Sequence, residues 1–379
     1  MPAAPARPAL LPLLPLLTER FSDVPLALSL GQEGHLQLAA LAAAAVWQGI
    51  PASAPTVPAG GGHPARRMLR LDLETRVVWC HGGRIVTGPA GAEPAACRPL
   101  NGDAARITAH KPTLNRLLAT QGFSTPAGQE FAATDRDAAL RWAQDLGGPV
   151  CVKPPSGSLG WGVTPGLREG AALTAAFDTV AGRCGSVLLE QHVAGAAPLP
   201  ADATVRIMWV APDHVTLRMD RPAHLTGDGQ RPVSALLADR NARRAARTGQ
   251  PPILPDAALL ALLAEQHLTP AAVPAAGQLV ALRRVSNASQ GGDSHTDLPD
   301  IHPSYAAEVI RLFRSLPGAR AGAADLILAE PMAPCRPGNH WILDVNLSPG
   351  IVQYHFPWGG PPRDVAAALI RLIGMLAGD

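Results

Sequence analysis

Two residues stand apart in this 379-residue chain: of its 32 basic side chains only Lys111 and Lys153 are lysines, and the remaining 30 are arginines. Where composition runs so strongly to arginine, a retained lysine marks a place that wants a compact point charge rather than a planar fork, as phosphate oxygens in a tight pocket do. The alternative is two ordinary surface lysines. Lys153 follows a short apolar run, residues 149–152, and leads into PPSGSLGWGVT, where Gly157, Ser158, Gly160 and Gly162 keep side chains small. Backbone N–H groups in such a loop can close on phosphate oxygens. No Gly-Lys-Ser/Thr follows the glycines, so this is not a Walker loop, and the lysine precedes them, so it is not a Rossmann fingerprint. Read alone, it also fits a glycine-rich surface turn.

A second segment, ADLILAEPMAPCRPGNHWILDVNLSPG at residues 324–350, places Asp325 at the opening of one predicted strand and Asp344 and Asn346 on the next. Spaced by two, the last pair point to one face of a strand. Such oxygen donors suit magnesium, which takes one or two carboxylates beside substrate phosphates, although Asp and Asn are also common where a strand simply ends in a turn. Positive charge comes from Arg206 in TVRIMWV, Arg221 in MDRPAH and Arg283 in LRRVSNASQGG, each at or near a predicted strand end. Converging arginines could neutralise a phosphoryl group in transit; any one of them alone reads as a solvated side chain.

These residues need a scaffold of more than one core. A chain of this length with 47% hydrophobic residues exceeds what one core organises. Residues 24–50 read as strand, turn and helix, followed by a Pro/Gly loop over 51–64, two strands near 68–72 and 76–80, and a loop over 87–103. Helices are expected at 104–124, 132–146 and 168–182, with strands at 149–152, 186–190, 205–210 and 214–219. Residues 222–275, rich in proline, read as an inserted subdomain with helical patches at 231–247 and 256–268. Strands at 278–284, 324–330 and 341–345 and helices at 303–315 and 363–376 complete an α+β pattern. The domains expected are 1–103 (α/β), 104–202 and 203–379.

A net charge of +2 gives no field to gather nucleic acid or an anionic membrane. The five cysteines, Cys80, Cys97, Cys151, Cys184 and Cys335, contain no CxxC pair and read as packing residues in a reducing compartment. The leucine run after the N-terminus is broken by prolines and no cleavage pattern follows, so a cytoplasmic protein is expected.

The order of these segments resembles the ATP-grasp ligases, most nearly the ligase module of cyanophycin synthetase and the glutathione synthetase half of bifunctional bacterial glutathione synthetases. The resemblance covers residues 104–374 and rests on AHKPTLNRLLATQGFSTP, KPPSGSLGWGVT, LLEQHVAG, VRIMWV, RPAHLTGDGQRPVSALLADRN, LRRVSNASQGG, DIHP and DVNLSPGIVQYHFPWGGPPRDVA. It implies an ATP-grasp fold, two α+β subdomains clasping ATP, behind a smaller N-terminal α/β domain. It also implies that Lys111 and Lys153 hold nucleotide phosphates under a loop containing Ser158, Gly160 and Gly162. Glu190, Gln191 and Val193 would form the hinge at the adenine; Asp325, Asp344 and Asn346 would bind magnesium or manganese. Arg206 would stabilise the transferred phosphate, and Arg283, Asn287 and Ser289, with Arg221 nearby, would line the carboxylate pocket.

Three departures accompany the resemblance. Asp344 stands where the family usually has glutamate; a proline-rich stretch before Arg206 leaves Asp202 as the candidate ribose contact; and no second ligase domain follows residue 379, so polymer synthesis is not expected. The activity implied is ATP-dependent joining of a carboxylate, of an amino acid or small peptide, to an amine through an acyl phosphate. The substrates are small molecules, with a homo-oligomer implied by the family. A small-molecule kinase or a nucleotide-binding subunit without turnover would share the same nucleotide residues.

Overall fold

The computed structural model describes residues 11–59, 64–157 and 160–376. The first ten residues of the leucine-rich start, part of the Pro/Gly loop and Ser158 lie outside them.

The scaffold is a five-stranded antiparallel sheet in the order Asp293–His295, His214–Arg221, Thr204–Val210, Ala321–Leu328, His340–Asn346. Its two inner strands, Thr204–Val210 and Ala321–Leu328, are largely apolar on both faces because a core lies on each side. Val205, Ile207 and Trp209 point to one core, beneath the helix Ser304–Ser315, where Trp209 stacks on Phe313 at 5.4 Å. Gly322 lies under the same ring, and a Cβ there would come within 2.4 Å of Phe313 Cε1. Met208, Val210, Ala321 and Ala323 point the other way, into a core shared with Leu14–Phe21, Pro25–Gln32, Leu36–Trp47 and Val365–Met375. That second core covers only part of the face, and Arg206, Asp325 and Asp344 carry the alternation into its uncovered part.

A four-stranded antiparallel sheet, ordered Thr164–Leu167, Val150–Lys153, Ser186–Gln191, Gly128–Ala132, stands apart from it. Val150, Val152, Val187 and Leu189 pack with Phe177 and Val180 of the helix Ala171–Cys184. The period-2 alternation therefore turns Lys153 and Glu190 to the opposite face. Leu225, Val233, Leu236, Leu237, Ile253, Leu259, Leu263, Val280 and Leu282 form a separate core in the proline-rich segment, under the helices Val233–Thr248 and Ala257–Glu265. At the N-terminal end, three helices precede an antiparallel sheet of Ala52–Ser53, Leu69–Asp72, Arg76–His81, Arg84–Pro89 and Arg98–Pro99.

Several expected elements are corrected. Residues 25–32 are a helix, not a strand: Pro25 sits in its first turn, where a missing N–H costs nothing, and Leu and Ala are strong helix formers. The expected loop over 87–103 contains the end of Arg84–Pro89 and the edge strand Arg98–Pro99. The single helix expected over 104–124 is two, Ala104–Ile107 and Lys111–Thr120, because Pro112 is tolerated only in a first turn. Residues 128–132 are a strand, so the next helix begins at Arg136. Asp325 does not open its strand but is the fifth residue of Ala321–Leu328. Among the described residues no helix is long and apolar enough to cross a membrane.

Candidate active site

Four charged residues form one row across four strands. Arg218 opposes Arg206, Arg206 opposes Asp325, and Asp325 opposes Asp344 in the strand register. Residues directly opposed in an antiparallel pair share a face, so two cations and two anions lie side by side. A register shift follows the Asp325–Asp344 pair, where Leu326 already faces Ile342 and Leu343 is the extra residue. Such a bulge re-aims a side chain, and here it lets Ile342 and Val345 both reach the apolar core while Asp344 joins the row. Asn346 shares the Asp344 face, with its Oδ1 accepting from Ser348 N at 2.9 Å.

Arg206 and Asp325 make two parallel contacts of 2.5 Å, Nε to Oδ1 and Nη2 to Oδ2. Burial works against the Arg206 charge, but Asp325 beside it more than offsets this and raises its pKa further. Arg218, almost fully buried, donates to Asp220 at 3.0 Å and lies 4.7 Å from the Tyr354 ring centroid. Asp220 also accepts from Ser294 Oγ at 2.6 Å.

The two lysines arrive from the four-stranded sheet's side. Lys111 Nζ lies 3.2 Å from both oxygens of Asp344. Its helix is anchored by a hydrogen bond from Lys111 N to Pro155 O at 2.8 Å, immediately after Lys153. A cation in the first turn opposes the helix dipole, so Asp344 is a needed counter-charge. One turn on, Asn115 donates to Glu190 Oε1 at 2.8 Å, while Lys153 pairs with Glu190 Oε2. Lys153 is buried; desolvation lowers its pKa, yet Glu190 and, further off, Asp344 outweigh this, so it stays charged. Two sheets thus meet at Lys111, Lys153 and Asp344. Asp325, Asp344 and Asn346 offer hard oxygen donors, two of them carboxylates already matched here by cations, which is the chemistry magnesium or manganese requires.

The glycine loop faces the turn that follows Arg283. A Cβ on Gly160, whose φ is +73°, would lie 3.2 Å from Gln290 Nε2 and 3.3 Å from Asn287 Cβ. Gly162, φ +72°, is packed against Pro154 and Val180 at 3.1 Å. Asn287 accepts from Ser289 N and Oγ at 2.9 and 2.6 Å, and Ser286 Oγ lies 3.2 Å from Thr204 Oγ, two residues before Arg206. Arg283 itself is spent on bracing: it donates to Gln290 O, Leu282 O and Asp256 Oδ2 at 2.9, 3.0 and 2.9 Å. Arg221 ends its strand opposite Asp293 with its Nε buried and unpartnered. Glu190 presents its side chain to Lys153, whereas Gln191 closes the strand with a backbone bond to Ala127 O at 2.7 Å, and Val193 lies in the crossing to the larger sheet.

Sequence reasoning missed Arg218, Asp220 and Asp293. In an arginine-rich chain another arginine carries no signal, but the alternation of Arg218, Asp220 in HVTLRMDR was available. Glu308, Cys335 and His340 also gather their donor atoms within 4.8 Å. Both Glu308 oxygens accept from Arg311, and Cys335 Sγ sits 3.6 and 3.7 Å from the two His340 ring nitrogens.

No protein-family model matches the chain. It is 28% identical over 279 residues to the glutathione biosynthesis bifunctional protein of Mannheimia succiniciproducens, covering 71% of this chain and 35% of that protein. It is 26% identical over 273 residues to the cyanophycin synthetase of a Nostoc species, covering 70% of this chain and 29% of that one. The crystal structure of a bifunctional glutathione synthetase from Pasteurella multocida superposes with a TM-score of 0.56 at 23% identity, covering 90% of this chain and 43% of that one. This chain thus spans about a third of the length of the curated relatives it matches. The fold is the ATP-grasp fold, in line with the resemblance read from the sequence.

Proposed function

We propose that this chain, an ATP-grasp protein by fold, is an ATP-dependent ligase that joins a carboxylate to an amine through an acyl phosphate. The observation that carries the reading is the row Arg218, Arg206, Asp325, Asp344, met at its end by Lys111 and Lys153. Residues 104–202 and 203–379 would be the two halves that clasp the nucleotide, with residues 1–103 on the substrate side, in a cytoplasmic enzyme of small molecules.

Lys111 and Lys153 supply the charge that holds the nucleotide's phosphates, exchanging Asp344 and Glu190 for phosphate oxygens. Asp325, Asp344 and Asn346 would hold magnesium or manganese, which when bound neutralises phosphate charge. Arg206, charged and fixed by Asp325, faces the place where negative charge accumulates as a carboxylate oxygen attacks the γ-phosphorus and the bond to ADP breaks. The acyl phosphate then loses inorganic phosphate as the amine nitrogen bonds to the acyl carbon and gives up its proton. Gly160, packed against Asn287 and Gln290, would help keep water from the acyl carbon.

The test is ADP and phosphate release by purified protein with Mg-ATP and pooled amino acids and short peptides, followed by mass spectrometry. Release that requires both a carboxylate and an amine, with a product one water lighter than their sum, is expected. A stable phosphorylated product, or nucleotide binding without release, would overturn the reading in favour of a kinase or a silent subunit.

A further inference from the structure

Beside the charged row lies a cavity of about 800 Å³ lined by His224, Arg231, Asp239, Arg240, Arg243 and Trp358, among others. Its wall is the helix Val233–Thr248 of the inserted segment, and its floor is the edge strand Asp293–His295. The floor is continuous with the row: Ser294, next to Asp293, donates to Asp220, and Asp220 holds Arg218. A ligand in the cavity therefore sits at one end of a polar track whose other end is Asp344 and the two lysines.

The hydrogen bonding of this corner is incomplete. Among the described residues, six buried side-chain atoms have no hydrogen-bond partner, and four of them, Arg221 Nε, Arg240 Nη1, Asp293 Oδ1 and His295 Nε2, are on or against this one short strand. Of these residues Arg240 and Asp293 line the cavity. Charge identifies what it takes. Asp228 and Asp239 are taken by Arg231, and Asp293 by Arg240 with Arg244 behind it. Arg243 is exposed, has no carboxylate partner among the described residues, and lies 5.6 Å from the Trp358 ring centroid, with Arg240 at 4.6 Å. The unspent capacity is cationic, and it flanks an aromatic face.

Resting on the ligase reading above, we infer that this cavity is a specificity subsite for the far end of an elongated substrate. Arg243 binds a carboxylate there, beside the buried Arg240, and Trp358 packs against the substrate's body. The volume selects for length: it is of the size that drug-sized ligands fill, on the order of 300–1,000 Å³, and exceeds what one amino acid occupies. Arg243 and Trp358 set which substrate is taken rather than how fast it reacts, because neither belongs to the row.

The experiment uses the full chain with Mg²⁺ and a non-hydrolysable ATP analogue. Isothermal titration calorimetry is run with the dipeptides Asp-Asp, Glu-Glu and γ-Glu-Ala and with their C-terminal amides, beside ADP-release assays on the same panel. At least one dicarboxylate dipeptide should bind about tenfold more tightly than its amide. Arg243→Ala should abolish that preference, Arg243→Glu should reverse it, and Trp358→Ala should weaken dipeptide and amide alike. Arg243 is exposed, so its variants test binding without threatening the fold. Donors that turn over but are indifferent to the second carboxylate and to Arg243→Ala would overturn the subsite and leave the ligase standing. Arg243-dependent dipeptide binding with no ADP release from any donor would do the reverse, and absence of both binding and release would overturn both.

Discussion

The charged row and the interior of the inserted segment both bury arginine against aspartate, yet they use the pairs differently. Arg244 lies at the centre of the insert, its side chain 1% exposed beside an equally buried Asp293. It also donates to Ala288 O, Pro251 O, Gly292 O and Gly291 O at 2.7, 3.0, 3.1 and 3.2 Å. With its donors taken by backbone carbonyls, it fixes the loop that faces the glycine turn and has nothing left to offer a ligand. Among the described residues the side chains of Arg206 and Asp325, at 18% and 16% exposure, hold only each other and Lys111 Nζ holds only Asp344, so each pair can be exchanged for phosphate or metal without breaking a core. Arg244 is saturated by the architecture around it, whereas Arg206 and Lys111 are each matched by a single carboxylate.

That contrast can be broken at its strongest point first. Lys153→Ala removes the phosphate charge and leaves Glu190 unpaired, and turnover should fall by about 10²–10³-fold or more. Lys153→Arg should not rescue it, because a planar fork does not replace a point charge in a closed pocket. ADP release under saturating ATP measures both. Arg206→Ala should lower kcat by a similar factor of about 10² while leaving the melting temperature within a few degrees. Arg244→Ala should show the opposite balance. Leaving four carbonyls without their donor, and Asp293 with Arg240 as its remaining counter-charge, should cost about 3–5 kcal/mol of stability by denaturant unfolding. Equal loss of activity and stability in both variants would erase the distinction between the two regions.

Smaller effects sharpen it. Asn346→Ala should raise the Mg²⁺ concentration for half-maximal activity by about tenfold with ATP affinity little changed. His355 offers a control outside the charged row. Burial holds its imidazole pKa down to about 4, against a partial opposing pull from Asp364. Its folded pKa is below the unfolded value, so the unfolded state binds the proton more readily. The stability is present above about pH 6.5 and is lost as pH falls towards 4. His355→Gln should flatten that acid limb of the melting curve, an effect on the order of 3 kcal/mol at its fullest.

Much of the site was legible because its residues are rare or rigidly spaced. Two lysines among 32 bases stand out by rarity, and the structure sets Lys111 on Asp344 and Lys153 on Glu190. Arg218 and Asp220 were hidden by the abundance of arginine, and the Asp293 cluster because its partners, Arg240 and Arg244, come from a helix some fifty positions earlier. The helix Pro25–Gln32 reads as a strand because a short apolar run, residues 24–28, has no period that separates a buried strand from a buried helix. Pro25, which is at home in a first helical turn, was the overlooked sign.

The most direct test of the account is the fate of the carboxylate oxygen. With a donor labelled by ¹⁸O in its carboxylate and unlabelled ATP, amine and water, an acyl phosphate requires one ¹⁸O atom in the inorganic phosphate released. Phosphate carrying that single label, read by mass spectrometry, is the predicted result. Unlabelled phosphate formed alongside the amide product would contradict attack of the carboxylate on the γ-phosphorus, and with it the role assigned to the charged row.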